Sequence, residues 1–216
     1  MNKRIKRQSR AEHRNILVEH IKANLEIYFL LIILFIIGII LGVIIVNNLP
    51  ESESQNINEY VNNSFNSIKE GNKLQDMQAL KYSLKKNTII VLIIWIFGLS
   101  FFGKHILYFV IFLLGITFGY TTSSIFLGFN IGQSLLIFLS TIFLQNIIII
   151  PTFLFLCEQG IKCHKDFSKN KSSFSFKHMV VKFTSCCLLS LFLLFTSSFI
   201  EVYVSGKILN GVIKYL

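Results

Sequence analysis

From Thr88 to Phe129 the chain runs for 42 residues with a single charged side chain, Lys104. As one helix this stretch would be about 63 Å long at ~1.5 Å per residue, twice the roughly 30 Å of bilayer hydrocarbon. It must therefore cross a membrane, turn and cross back. Lys104, with Gly103 and His105 beside it, marks the expected turn, giving spans of about 88–103 and 106–127. The composition agrees, with 53% hydrophobic and 15% charged residues and a mean hydropathy of +0.62, against roughly 25% charged residues in ordinary globular chains. Disordered, collagen-like and disulfide-scaffold classes are excluded. The formal net charge of +10 would suggest nucleic acid in a soluble protein. Here the basic residues flank apolar spans, so they read as topology signals and anionic-lipid contacts, with no nucleic-acid partner expected.

Three further spans complete the pattern. The first runs from about Leu25 to Val46 and is followed by Asn47, Asn48, Leu49 and Pro50. No small-residue cleavage site follows it, which predicts an uncleaved anchor. The fourth, 131–156, follows a Gly128-Phe129-Asn130 turn, and the fifth is 183–200. The expected fold class is an all-α integral membrane protein of five transmembrane helices, with an amphipathic helical extracytoplasmic loop. Lys and Arg number 14 on the side holding residues 1–24, the Lys104 turn and the 157–182 loop, and seven on the other. The positive-inside rule then predicts a cytoplasmic N-terminus and an extracytoplasmic C-terminus, although Lys85 and Lys86 fall on the side the rule disfavours. The organisation follows: a basic cytoplasmic segment 1–24, a membrane domain 25–200 with loops at 47–87 and 157–182, and an extracytoplasmic tail 201–216.

Outside the hydrocarbon three segments have amphipathic spacing. Residues 1–24 carry a capping box at Ser9-Arg10-Ala11-Glu12, with Leu17, Ile21 and Leu25 recurring every fourth position. In the 47–87 loop, Ile57, Tyr60, Val61, Phe65 and Ile68 follow the spacing of one helix face, with Gly71 as a plausible C-cap. A second helical stretch from Leu74 climbs into the second span. The face in the 47–87 loop must cover itself: the bundle or the headgroups are the plainer choice, and a partner protein, with these five residues as its docking face, is the sharper alternative. In the tail, Ile208, Leu209, Val212, Ile213 and Leu216 suggest an interfacial helix.

Within the spans, Gly38 and Gly42 in the first and Gly115 and Gly119 in the third form small-residue pairs suited to close helix packing. Packing inside the bundle is preferred to a homodimer seam. Gln145 and Asn146 lie near mid-membrane in the fourth span, and Pro151 favours a kink there. The two amides read either as an interhelical clamp or as the lining of a transport path. Glu201 is expected as an acid at the outer membrane interface, where it can pair with a neighbouring helix.

Chemistry of catalytic type is thinly represented. No span contains a His, and no phosphate-binding glycine-rich loop is present. Ser83-Leu84-Lys85-Lys86 matches a Ser-x-x-Lys string without its companion motifs. Cys157 and Cys163 are assigned to the cytoplasmic loop and Cys186 and Cys187 to the fifth span, so no disulfide framework is expected. Cys157, Glu158, Cys163 and His164 lack the close cysteine pairs of zinc sites. Neither a metal, nor a cofactor, nor an enzymatic activity is predicted.

The chain resembles the stage II sporulation protein M family of endospore-forming bacteria. The resemblance is carried by Gly38-Ile39-Ile40-Leu41-Gly42 through Val46-Asn47-Asn48-Leu49, by Trp95-Ile96-Phe97-Gly98-Leu99-Ser100, and by Gly115-Ile116-Thr117-Phe118-Gly119. It continues through Leu144-Gln145-Asn146 to Ile150-Pro151 and ends at Glu201-Val202-Tyr203-Val204-Ser205. The chain departs at His105, Leu144 and Gly206, where close relatives are expected to carry proline. It also lacks the wider family's His-Gly and acidic motif around the fourth span. The resemblance implies a non-enzymatic anchor of the engulfment machinery in the cell membrane, on the mother-cell side of the sporulation septum. Its implied partners are stage II sporulation proteins D and P, which resemble peptidoglycan-cleaving enzymes, together with membrane lipids. A permease-like transport subunit is the alternative.

Overall fold

The computed structural model describes residues 24–69, 73–100, 102–169 and 173–205, and the regular structure among them is helical throughout. Helix α1 spans Leu25–Asn47, α2 Glu51–Lys69, α3 Lys73–Gly98 and α4 Gly103–Gly128. The short α5, Ile131–Ile137, passes through a π-helical segment, Phe138–Phe143, into α6, Leu144–Lys169. Helix α7, Ser173–Phe199, ends in a second π-helical segment, Ile200–Ser205. Helix is what hydrocarbon imposes, because a backbone with no water nearby must satisfy its N–H and C=O groups within the segment. Among the described residues four stretches are long and apolar enough to cross a membrane: Leu25–Asn47, Gly103–Gly128, Ile131–His164 and Lys177–Tyr203. Helix α3 differs from these because its N-terminal half is polar and carries Lys81, Lys85 and Lys86.

Registers of contact fix the helix directions. Gly38 lies against Phe112 and Gly115 while Gly42 lies against Ile116 and Gly119, so α1 and α4 run parallel. Between α3 and α7 the order reverses: Ser83 meets Ser198 near one end, and Trp95 donates to Thr184 Oγ1 at 3.0 Å near the other. Helix α6 is antiparallel to both α4 and α7, with Gly160 beside Leu107 and Phe183 and Ser197 donating to the Gln145 carbonyl at 3.2 Å. The five long helices therefore alternate in direction along the chain, with α2 set across the end of α4.

The principal apolar core joins Leu31, Val91, Ile94, Leu107, Ile111 and Leu156 and lies in the half of the bundle nearer the α3–α4 turn. Outward faces stay apolar as well, with Ile36, Ile40, Leu188 and Phe192 exposed, as expected of surfaces that meet lipid chains.

Several boundaries differ from those read in the sequence. The α3–α4 turn occupies Leu99 to Phe102, so Gly103, Lys104 and His105 form the first turn of α4 instead of the reversal itself. A Cβ on Gly103 would stand 1.7 Å from the Phe97 carbonyl oxygen, which explains glycine where the chain re-enters helix. The 157–182 loop contracts sharply, because α6 continues to Lys169 and α7 begins at Ser173. Cys157 and Cys163 are consequently helical and buried rather than in a loop; Cys157, Leu156 and Ile161 all belong to the apolar core. Helix α7 likewise carries through its π-helical end past Glu201. Pro151 lies within α6 on an exposed face, and the helix is assigned without a break around it. The amphipathic reading of residues 1–23, the Gly71 cap and the tail face from Ile208 to Leu216 fall outside the described residues.

Candidate functional site: a polar cavity inside the bundle

Polar side chains from four elements converge where α3 and α4 separate beyond their shared turn. From α3, Ser83 and Asn87 sit one turn apart and are buried. From α7, Ser197 and Ser198 are fully buried, and a turn further on the π-helical segment supplies Glu201. The wider π turn is a common feature of functional sites in helices, and two such segments flank this cluster. Ser83 Oγ lies 2.9 Å from Ser198 Oγ and also meets Glu201 Oε2. Asn87 Nδ2 donates to Ser198 Oγ at 3.1 Å, and Ser198 donates to the Leu194 carbonyl at 3.1 Å. With its amide oriented to satisfy both ends, Gln145 donates to the two Glu201 carboxylate oxygens at 3.2 Å each.

The cluster forms one wall of a cavity of about 120 Å³. Its lining includes Lys86 and Tyr82 from α3, Thr117 and Thr121 from α4, and Asn146 from α6. An adjoining apolar cleft shares Leu114, Phe118, Asn146, Ile149 and Phe153 with it and reaches Phe35 on α1. The cavity is thus an open recess between helices, with Tyr82, Lys86, Thr117 and Thr121 on its exposed side, an apolar floor that includes Leu114, Ile149 and Phe153, and one carboxylate. Among the described residues no group of His, Cys, Asp and Glu is arranged to hold a metal ion.

The residues singled out in the sequence divide among three places. Gly38, Gly42, Gly115 and Gly119 meet each other at the α1–α4 seam. Gln145, Asn146 and Glu201 meet at the cavity, so Glu201 faces into the bundle while Pro151 faces out. On α2, Val61 packs beside Gly128, Ile57 is half-buried, and Tyr60 is 75% exposed. Phe65 and Ile68 lie on the same helix, and their side chains fall outside the described residues.

Sequence reasoning missed Ser83 as a partner of Glu201, and Asn87, Ser197 and Ser198 as the groups hydrogen-bonded around that pair. The available signal was spacing: Ser197, Ser198 and Glu201 share one face of α7, and Ser83 and Asn87 share one face of α3. At the other end of the bundle, Glu158, weighed in the sequence only as part of a metal set, forms a buried polar group that was not expected. Glu158 is fully buried, with Gln159 Nε2 at 2.8 Å from one carboxylate oxygen and Lys162 Nζ at 2.8 Å from the other.

An α-helical, multi-pass membrane protein with a carboxylate-bearing internal cavity is the class that this fold and site define. Residues 31–206 match the family described as stage II sporulation protein M. The chain belongs to that family and is a sporulation-related membrane protein. No curated protein and no solved structure matches it.

Proposed function

We propose that the chain is a non-enzymatic scaffold of the engulfment machinery, seated in the mother-cell septal membrane. In this reading it recruits the peptidoglycan-degrading stage II sporulation proteins D and P, so that septal wall is thinned and the membrane can migrate. The observation that supports it best is α2: a 19-residue helix fastened to the end of α4 through Val61 beside Gly128, with Tyr60 turned outward. Such a helix is a fixed ledge on one side of the bundle. The alternating helix directions support α3 as a fifth crossing, since α4 can run parallel to α1 only if the chain returns between them. With residues 1–24 cytoplasmic, that order puts α2 and the C-terminus on the wall side, where the partners work.

The reading is tested by deleting the gene and following membrane-stained cells under starvation, with the wild-type chain as complement. Cells that divide asymmetrically but whose septal membrane never migrates support the assignment. Normal engulfment overturns it. A photo-crosslinker at position 60 should capture protein D or P, and products confined to the chain's own helices would remove α2 as the docking element.

A permease-like subunit is the second reading, and the polar cavity favours it. It predicts that single cysteines at positions 145 and 146 react with water-borne thiol reagents, and uniform protection of both would count against it.

A further inference from the structure

The cavity between α3, α4 and α6 has a chemical bias that neither a scaffold nor a plain hydrogen-bond clamp requires. Several of its hydroxyl and amide donors are already used within the protein. Thr117 Oγ1 donates to the Leu113 carbonyl at 2.9 Å, and Thr121 Oγ1 to the Thr117 carbonyl at 2.8 Å. Asn146 Nδ2 donates to the Ile142 carbonyl at 2.7 Å; Asn87 Nδ2 is committed to Ser198. A hydroxyl that has given its proton away offers only oxygen lone pairs, while an amide keeps its carbonyl oxygen as an acceptor beside its second N–H. Thr117, Thr121 and Asn146 therefore present acceptors to the cavity, next to the Glu201 carboxylate.

We propose that this cavity binds a small monovalent cation, with Glu201 as its charge partner and the oxygens of Thr117, Thr121 and Asn146 as neutral ligands. The shared chemistry is that of an alkali-metal ion or a primary ammonium group, since either gains from oxygen acceptors around one negative charge. Size agrees: about 120 Å³ is several times the ~10–15 Å³ of accessible space that one water needs, enough for a partly hydrated ion or an ammonium head. A carboxylate in a membrane bundle is costly without partners; Ser83 and Gln145 supply Glu201 with hydrogen bonds, and a bound cation adds a compensating charge. Lys86 is exposed at the mouth and lines the same space. Its ammonium competes for the same oxygens.

The test uses the purified full-length chain and reads its thermal unfolding midpoint. In amine-free detergent, sodium or potassium chloride is titrated against choline chloride at constant ionic strength, choline having no N–H to donate and a charge that its methyl groups shield from oxygen ligands. In nanodiscs held in choline, phosphatidylethanolamine is compared with phosphatidylglycerol. A saturable rise of several degrees with the metal ion identifies a free cation as the ligand. A rise only with phosphatidylethanolamine identifies the lipid ammonium group. Either rise must vanish in Glu201→Gln and weaken in Thr117→Val/Thr121→Val, a near-isosteric pair that leaves the Glu201 contacts in place and serves if Glu201→Gln does not fold. Lys86→Gln should lower the concentration needed for half the shift. No rise in either series, or one that survives both sets of substitutions, overturns the proposal.

Discussion

At the seam between α1 and α4, a glycine in contact with another helix's backbone cannot gain even a methyl group unless one helix moves. A Cβ on Gly115 would meet the Phe35 carbonyl oxygen at 2.3 Å, and one on Gly119 the Ile39 carbonyl oxygen at 2.2 Å. Gly115→Ala and Gly119→Ala should each cost about 1–3 kcal/mol, the usual range for overpacking. Gly132→Ala, with open space around it, should be close to neutral, and unfolding midpoints in detergent measure all three. The Glu158–Lys162 pair is another residue-scale case. Lys162→Met removes the cation beside a fully buried carboxylate. Its cost should fall below the ~3–5 kcal/mol seen when a wholly buried pair is broken, because the Lys162 side chain keeps 28% of its surface exposed. The glycines were legible in the sequence, since small residues four apart in an apolar run have few other uses. Glu158 was not, because its helix continues past the point where the apolar run fades.

Helix α3 shows what periodicity can and cannot reveal about an element. Its polar first half and apolar second half form one continuous helix, Lys73–Gly98, although by hydropathy they look like a loop followed by a short span. The polar half is accommodated because Ser83 and Asn87 face Ser198 and Glu201 rather than lipid. Which serine would meet which carboxylate depended on the antiparallel pairing of α3 with α7, and no local pattern encodes that pairing. If α3 crosses the membrane, opposite ends of the α3–α4 unit differ in access. In a cysteine-free background, a cysteine at position 85 should react with a membrane-impermeant maleimide in intact cells. A cysteine at position 104 should react only after permeabilisation, and equal labelling of both would remove the fifth crossing.

Across the whole molecule the interior is divided into an apolar half around Leu31, Ile94, Leu107 and Leu156 and a polar recess around Glu201. The helical class and most of the apolar spans were visible from composition and run length. Three residues of the recess, Gln145, Asn146 and Glu201, stood out in the sequence, but their convergence with Ser83 and Asn87 did not, because these groups come from elements far apart in sequence. The parallel α1–α4 seam also affects the order of synthesis. Gly38 and Gly42 enter the bilayer long before Gly115 and Gly119 exist, and at roughly 5–20 residues per second the first helix waits some seconds for its mate. During that interval its glycine face is open to another nascent copy. A chain truncated after Asn47 should therefore pair with itself in a membrane two-hybrid assay and lose the pairing in Gly38→Leu, whereas the full-length chain, its seam already filled from within, should show no such glycine-dependent pairing.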